Sequence, residues 1–204
     1  MTANRWRKLL GGVAVVVAVI GVGVGLRLVA APGHFGGGRD TPGGPFKLVN
    51  TAGETVTPAR WRGRYKLVYF GYTYCPDVCP TALGIISRAL DRLDPSVRAR
   101  IVPVFITVDP ARDTRKVMAE YVQHFHPALI GLTGTERQVR RAAEAYNVTH
   151  EKVPREEGPY LMDHSALTYL MGPEGAFIRQ FPHGMAAKKM AAALRATVKQ
   201  GAGS

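Results

Sequence analysis

The chain uses cysteine twice in 204 residues, and both uses fall in one short run, Tyr72-Thr73-Tyr74-Cys75-Pro76-Asp77-Val78-Cys79-Pro80. Two thiols at i and i+4 share one face of a helix, close enough to form a disulfide or to grip a single soft metal ion. A purely structural disulfide is the weaker reading, because closing so short a loop removes little entropy from the unfolded chain. Spacing alone leaves thiol redox chemistry and metal binding both open.

The elements that must position these thiols are legible on either side. The apolar run Lys66 to Gly71, with Leu67, Val68, Tyr69 and Phe70, predicts a buried strand, and Ala82 to Leu93 predicts a helix with apolar residues at helical intervals. The cysteines therefore occupy a strand-to-helix corner, where free backbone amides and the positive helix end favour thiolate over thiol. Pro80, with no amide to donate, suits a first helical turn. Further on, Ile101 to Val108 predicts a second buried strand, and Asp113 or Thr114 can cap a helix to about His124. Leu129 to Leu132 predicts a short strand, and Thr135 with Gln138 a capping box for a helix to Tyr146. Ala166 to Met171, the turn Gly172-Pro173-Glu174-Gly175, and Ala176 to Phe181 form a hairpin signal, followed by a last helix over Ala186 to Val198. This order predicts an α/β fold with a central mixed sheet flanked by helices, as in a thioredoxin-like domain.

Arg5, Arg7 and Lys8 precede Leu9 to Leu26, an uncharged stretch of 18 residues. As a helix it would span about 27 Å, against a hydrocarbon core of about 30 Å. The expected organisation is a cytoplasmic basic segment (1–8), a transmembrane anchor (9–31), a flexible Gly- and Pro-rich linker (32–45), a folded domain (46–200) and a short tail (201–204). Val29-Ala30-Ala31 would offer a cleavage site if the segment were a signal peptide, but the apolar run is longer than such segments usually are. Either way the domain is exported. A single-pass protein of a bacterial inner membrane, with its C-terminal domain in the periplasm, is favoured over a mitochondrial setting, since eight residues before the span leave no room for a presequence. Of the formal charge of +12, residues 1–40 carry +4 (five basic residues against Asp40), leaving +8 on the rest. A basic domain beside a bilayer suits anionic lipid or an acidic partner face. Export and the lack of an aromatic-interleaved basic motif argue against nucleic acid.

Three motifs carry a resemblance. Cys75-Pro76-Asp77-Val78-Cys79-Pro80, Val108-Asp109-Pro110-Ala111-Arg112-Asp113-Thr114 and Asp163-His164-Ser165-Ala166 stand in the order found in the Sco/SenC family of membrane-anchored copper proteins, which the chain resembles from about Phe46 to Val198. The resemblance implies a thioredoxin-like fold and a non-enzymatic metallochaperone. Its copper would be held by Cys75, Cys79 and His164 and passed to the binuclear copper site of cytochrome c oxidase subunit II, with an upstream copper donor and a thiol reductant as further partners. The chemistry agrees: two thiolates and an imidazole make a soft, low-coordinate set for Cu(I) that can also hold Cu(II). A structural zinc site would need a fourth ligand, and none clusters with these motifs.

Other candidates have simpler readings. Asp77 could accept hydrogen bonds beside the metal or contact a partner, with a turn or capping role as the alternative. Asp109, at a strand end where open sheets place their ligands, could serve metal handling or partner contact, with a turn before Pro110 as the alternative. Arg112 and Asp113 read as a surface ion pair and a helix cap. His124 and His126 are expected at a helix end, in contact with its dipole or exposed. His34 lies in the linker, His150 and His183 lack clustered partners, and Met162, Met171 and Met185 read as core filler. The rival function is an exported thiol-disulfide oxidoreductase using Cys75 and Cys79 on partner cysteines, in which His164 would not be a required ligand.

Overall fold

The computed structural model describes residues 41–201. The expected basic segment, the transmembrane anchor and linker residues 32–40 lie outside the described residues, as does the end of the tail. Among the described residues, no helix is long and apolar enough to cross a membrane.

The described residues form nine strands: β1 (Leu48–Asn50), β2 (Thr55–Val56), β3 (Tyr65–Gly71), β4 (Ile101–Thr107), β5 (Ile130–Thr133), β6 (His150–Val153), β7 (Leu161–His164), β8 (Thr168–Met171) and β9 (Phe177–Phe181). The helices are α1 (Val78–Asp91), α2 (Pro95–Arg98), α3 (Arg115–Val122), α4 (Glu136–Ala145) and α5 (Ala187–Gln200), with a single 3-10 turn at Pro58–Trp61. Every residue of β3 and of β4 is buried, which is why both read as continuous apolar runs rather than alternating ones.

Seven strands form one mixed sheet in the order β2-β1-β5-β4-β3-β8-β9. β3 pairs in parallel with β4 across the α1 crossover, and β4 in parallel with β5. β8 returns antiparallel to β3 and β9 antiparallel to β8, before α5 packs back against α1. A βαβ unit followed by a ββα unit is the thioredoxin-like core expected from the sequence. β5, α3, α4 and the β6–β7 pair are inserted between its halves.

The Thr135/Gln138 capping box is present at α4. Other boundaries differ. α1 begins at Val78, four residues earlier than expected, so Cys79 lies inside its first turn. Thr114 caps α3 by accepting from the Val117 amide, and Asp113 is released for another task. α3 ends at Val122, so His126 lies beyond it rather than on its dipole. His126 is buried, with Nδ1 accepting from the Ala128 amide and Nε2 3.6 Å from Asp91.

Two strand pairs have no counterpart in the sequence analysis. β1 and β2 extend the sheet beyond β5. β6 and β7 form a separate two-stranded sheet that presents His164. Ordered contacts with the domain also begin before Phe46: the Gly43 amide donates to the Ala145 carbonyl at 2.7 Å.

Candidate metal centre

Two limbs build the site. The first is the loop from β3 into α1. β3 ends on Gly71, and the chain turns through Tyr72 to Pro76 before Asp77 occupies the N-cap position of α1. Cys75 is half-buried in this turn, and Cys79 is wholly buried in the first helical turn. The amide of Cys79 donates to Cys75 Sγ at 3.3 Å, so a helix N-terminal amide points at the more accessible sulfur.

The second limb is the β6–β7 hairpin. His164 closes β7, and its imidazole packs edge-on between Tyr69 and Tyr72, with ring centroids 6.3 and 5.9 Å away. Nδ1 lies 3.2 Å from the Ser165 carbonyl, which can only accept, so Nδ1 carries the proton and Nε2 the lone pair. Nε2 is 3.5 Å from Cys79 Sγ.

The two thiols titrate far apart. Cys75 is lowered to about 4, first by the hydrogen bond from the Cys79 side chain; contact with His164 and the amides of Cys79 and Asp77 adds to this, against the opposing effect of burial. Cys79 is pushed far up, first by the same partnership with Cys75 and then by burial. The pair thus gives up one proton readily and holds the second strongly, with the more accessible Cys75 favoured as the sulfur that loses it.

Around one metal ion, a sulfur at about 2.3 Å and an imidazole nitrogen at about 2.0 Å stand about 3 to 4 Å apart. Cys79 and His164 already keep that separation. Among the described residues, no group of three or more His, Cys, Asp or Glu side chains can hold an ion as it stands. The trio is thus gathered but not a closed set as it stands.

The remaining candidates fall in other places. Asp77 is exposed, and its carboxylate accepts from Thr81 Oγ1 at 3.1 Å; what it offers Cys75 is its amide. Asp109 is 1% exposed and accepts from Arg112 Nε and from Tyr160 Oη. The surface ion pair expected for Arg112 is instead a mostly buried one with Asp109. Asp113, expected as a cap, is fully buried. It accepts from the Thr73 amide at 3.0 Å and from the hydroxyls of Thr73 and Thr107 at 2.6 Å each. Sequence reasoning also missed Tyr160, whose ring stacks on Arg112 with the guanidinium 3.7 Å from its centroid. The available signal was the position of Tyr160, four residues before His164.

The SCO1/SenC family model matches residues 36–199. The chain belongs to that family. A mitochondrial SCO1 homologue of Arabidopsis thaliana is 43% identical over 142 residues, covering 70% of this chain and 42% of the relative. An SCO2-like protein of Rickettsia prowazekii is 40% identical over 150 residues, covering 72% and 73%. The chain thus spans less than half of the plant relative and about three quarters of the bacterial one. Among solved structures, ScoI of Bradyrhizobium japonicum with copper bound superposes with a TM-score of 0.71 at 40% identity, covering 76% of this chain and 99% of that one.

Proposed function

We propose that this protein is a copper metallochaperone, anchored by the 9–31 segment in a bacterial inner membrane with its folded domain in the periplasm. It would bind copper through Cys75, Cys79 and His164 and deliver it to the binuclear copper site of cytochrome c oxidase subunit II. The observation that carries the reading is the approach of His164 Nε2 to Cys79 Sγ at 3.5 Å, beside a Cys75 whose pKa is lowered by its Cys79 partner. Family membership supports it, as does the copper bound to the Bradyrhizobium relative. Two soft sulfurs and one imidazole suit Cu(I), the imidazole extends the set to Cu(II), and low coordination leaves room for a partner thiol to attach before the donor lets go. Cys75, half-exposed, is the sulfur an incoming partner would meet first, whereas wholly buried Cys79 would be the last sulfur to release.

The test is anaerobic Cu(I) titration of the reduced full chain in detergent, beside His164→Ala. One tightly held copper per chain, weakened at least tenfold in the variant, supports the reading. No tight copper in the reduced protein overturns it.

The low pKa and exposure of Cys75 also favour a second reading, a thiol-disulfide reductase in which Cys75 attacks and buried Cys79 resolves the mixed disulfide. Reductase activity that survives His164→Ala would favour that role.

A further inference from the structure

The two limbs of the site belong to elements that do not pair with each other. The cysteines ride on the β3–α1 corner of the main sheet. His164 rides on β7, whose only strand partner among the described residues is β6. Besides the packing of the imidazole against Tyr69 and Tyr72, a second set of contacts ties the two limbs together.

We infer that the turn Asp109–Asp113 is a clamp that sets this separation, with Arg112 and Tyr160 as positioning residues for His164. The turn follows β4 and is closed by its own backbone, the amides of Arg112 and Asp113 both donating to the Asp109 carbonyl. Its far end holds the cysteine limb, because Asp113 accepts twice from Thr73, two residues before Cys75. Its near end holds the histidine limb at three points on one residue. Arg112 Nη1 donates to the Tyr160 carbonyl at 2.8 Å, Tyr160 Oη donates to Asp109 at 2.8 Å, and the guanidinium lies on the Tyr160 ring.

Arg112 also touches the cysteine limb directly, with its guanidinium 4.8 Å from the centroid of Tyr74, the residue before Cys75. One planar cation is therefore in contact with an aromatic ring from each limb while paired to the buried Asp109. A lysine could keep the charge but not the simultaneous stacking and directed hydrogen bonds. Tyr160 directly precedes β7, so a shift at Tyr160 is carried along one short extended strand to His164.

The copper arm of the test rests on the function proposed above; the copper-free arm does not. In the reduced, metal-free full chain, Arg112→Lys is expected to raise amide hydrogen exchange over 150–164 about tenfold, leaving β4 and α1 at wild-type rates. Tyr160→Phe, which keeps the ring and the carbonyl but loses the bond to Asp109, should give a smaller rise in the same segment. In the copper arm, Arg112→Lys should weaken Cu(I) binding about tenfold in the wild-type background and hardly at all in a His164→Ala background, since its effect passes through His164. A uniform rise in exchange across the domain, or an equal loss of affinity in both backgrounds, overturns the clamp. If the wild type binds no copper, the functional reading fails while the exchange arm still decides the clamp.

Discussion

Gly71 and Cys79 touch so closely that no side chain fits between them. A Cβ built at position 71 would lie 2.8 Å from Cys79 Sγ, 3.0 Å from Tyr69 Cε1 and 3.1 Å from Phe105 Cε2. The absent methyl group is what lets the buried sulfur sit against the end of β3, facing His164. Gly71→Ala should push Cys79 and the start of α1 outward. Overpacking of this kind costs about 1–3 kcal/mol, read as a lower urea midpoint. Copper affinity should fall with it, because Sγ moves away from Nε2. A variant that keeps wild-type copper affinity would show that the sulfur is free to shift without consequence.

The split titration of the thiols gives a pH signature. With Cys75 lowered to about 4 from an ordinary value of 9.0, iodoacetamide should label Cys75 at a nearly constant rate from pH 9 down to about 5, with the rate falling only near pH 4. Cys79 should stay unlabelled throughout. Linkage gives the sign for stability: a depressed folded pKa contributes stability that is present above the unfolded value and lost as pH falls through the folded one. The reduced wild type should therefore lose stability relative to Cys75→Ser between pH 9 and 4. Peptide mapping of the labelled protein is the check, and a Cys75 rate that climbs tenfold per pH unit between 6 and 8 would refute it.

Asp113, fully buried, accepts three hydrogen bonds, two from Thr73 and one from the buried Thr107 hydroxyl. Asp113→Ala leaves the Thr73 amide and the Thr107 hydroxyl without that carboxylate, at a cost of about 1–3 kcal/mol. Because the cysteine loop hangs on Thr73, metal affinity should fall as well as the melting temperature. Thr114→Ala, by contrast, removes the α3 cap, and should cost about 1 kcal/mol with copper affinity unchanged. Equal losses of affinity in the two variants would mean that Asp113 acts through general stability alone.

How far the sequence could be read followed the kind of force at work. β3 and β4 are buried on both faces and so advertise themselves as unbroken apolar runs, and the Thr135/Gln138 box is a local hydrogen-bond pattern written in adjacent residues. The β6–β7 hairpin is largely exposed and, among the described residues, pairs only with itself, so His-Glu-Lys-Val at 150–153 carries no periodicity that marks a strand. Asp113 looked like a helix cap because an acidic residue before a helix usually is one. Only the fold reveals that Thr114 takes that role and that Thr73, forty residues away, claims the carboxylate. The nearness of His164 to Cys79 was likewise invisible to spacing and entered through family resemblance.

Lys66 is the one charged residue inside the β3 run. It is buried, and its Nζ donates to the carbonyls of Gly172 and Pro173, holding the β8–β9 turn against the sheet. Burial lowers its pKa from 10.5, outweighing the attraction of Glu174. Two effects then compete in Lys66→Met: the turn loses its donors, at about 1–3 kcal/mol, while the fold no longer has to bury a cation. The sign of the second effect is fixed by linkage. A depressed folded pKa gives the wild type stability that is present above pH 10.5 and lost as pH falls through the folded value, and the methionine variant has no such term. Lys66→Met should therefore destabilise less at pH 7 than at pH 10.5, with copper stoichiometry unchanged because the turn lies outside the candidate site. Urea midpoints for both proteins at the two pH values decide it. A larger loss at pH 7 would mean that the buried ammonium is a net stabilising partner of the two carbonyls rather than a tolerated cost.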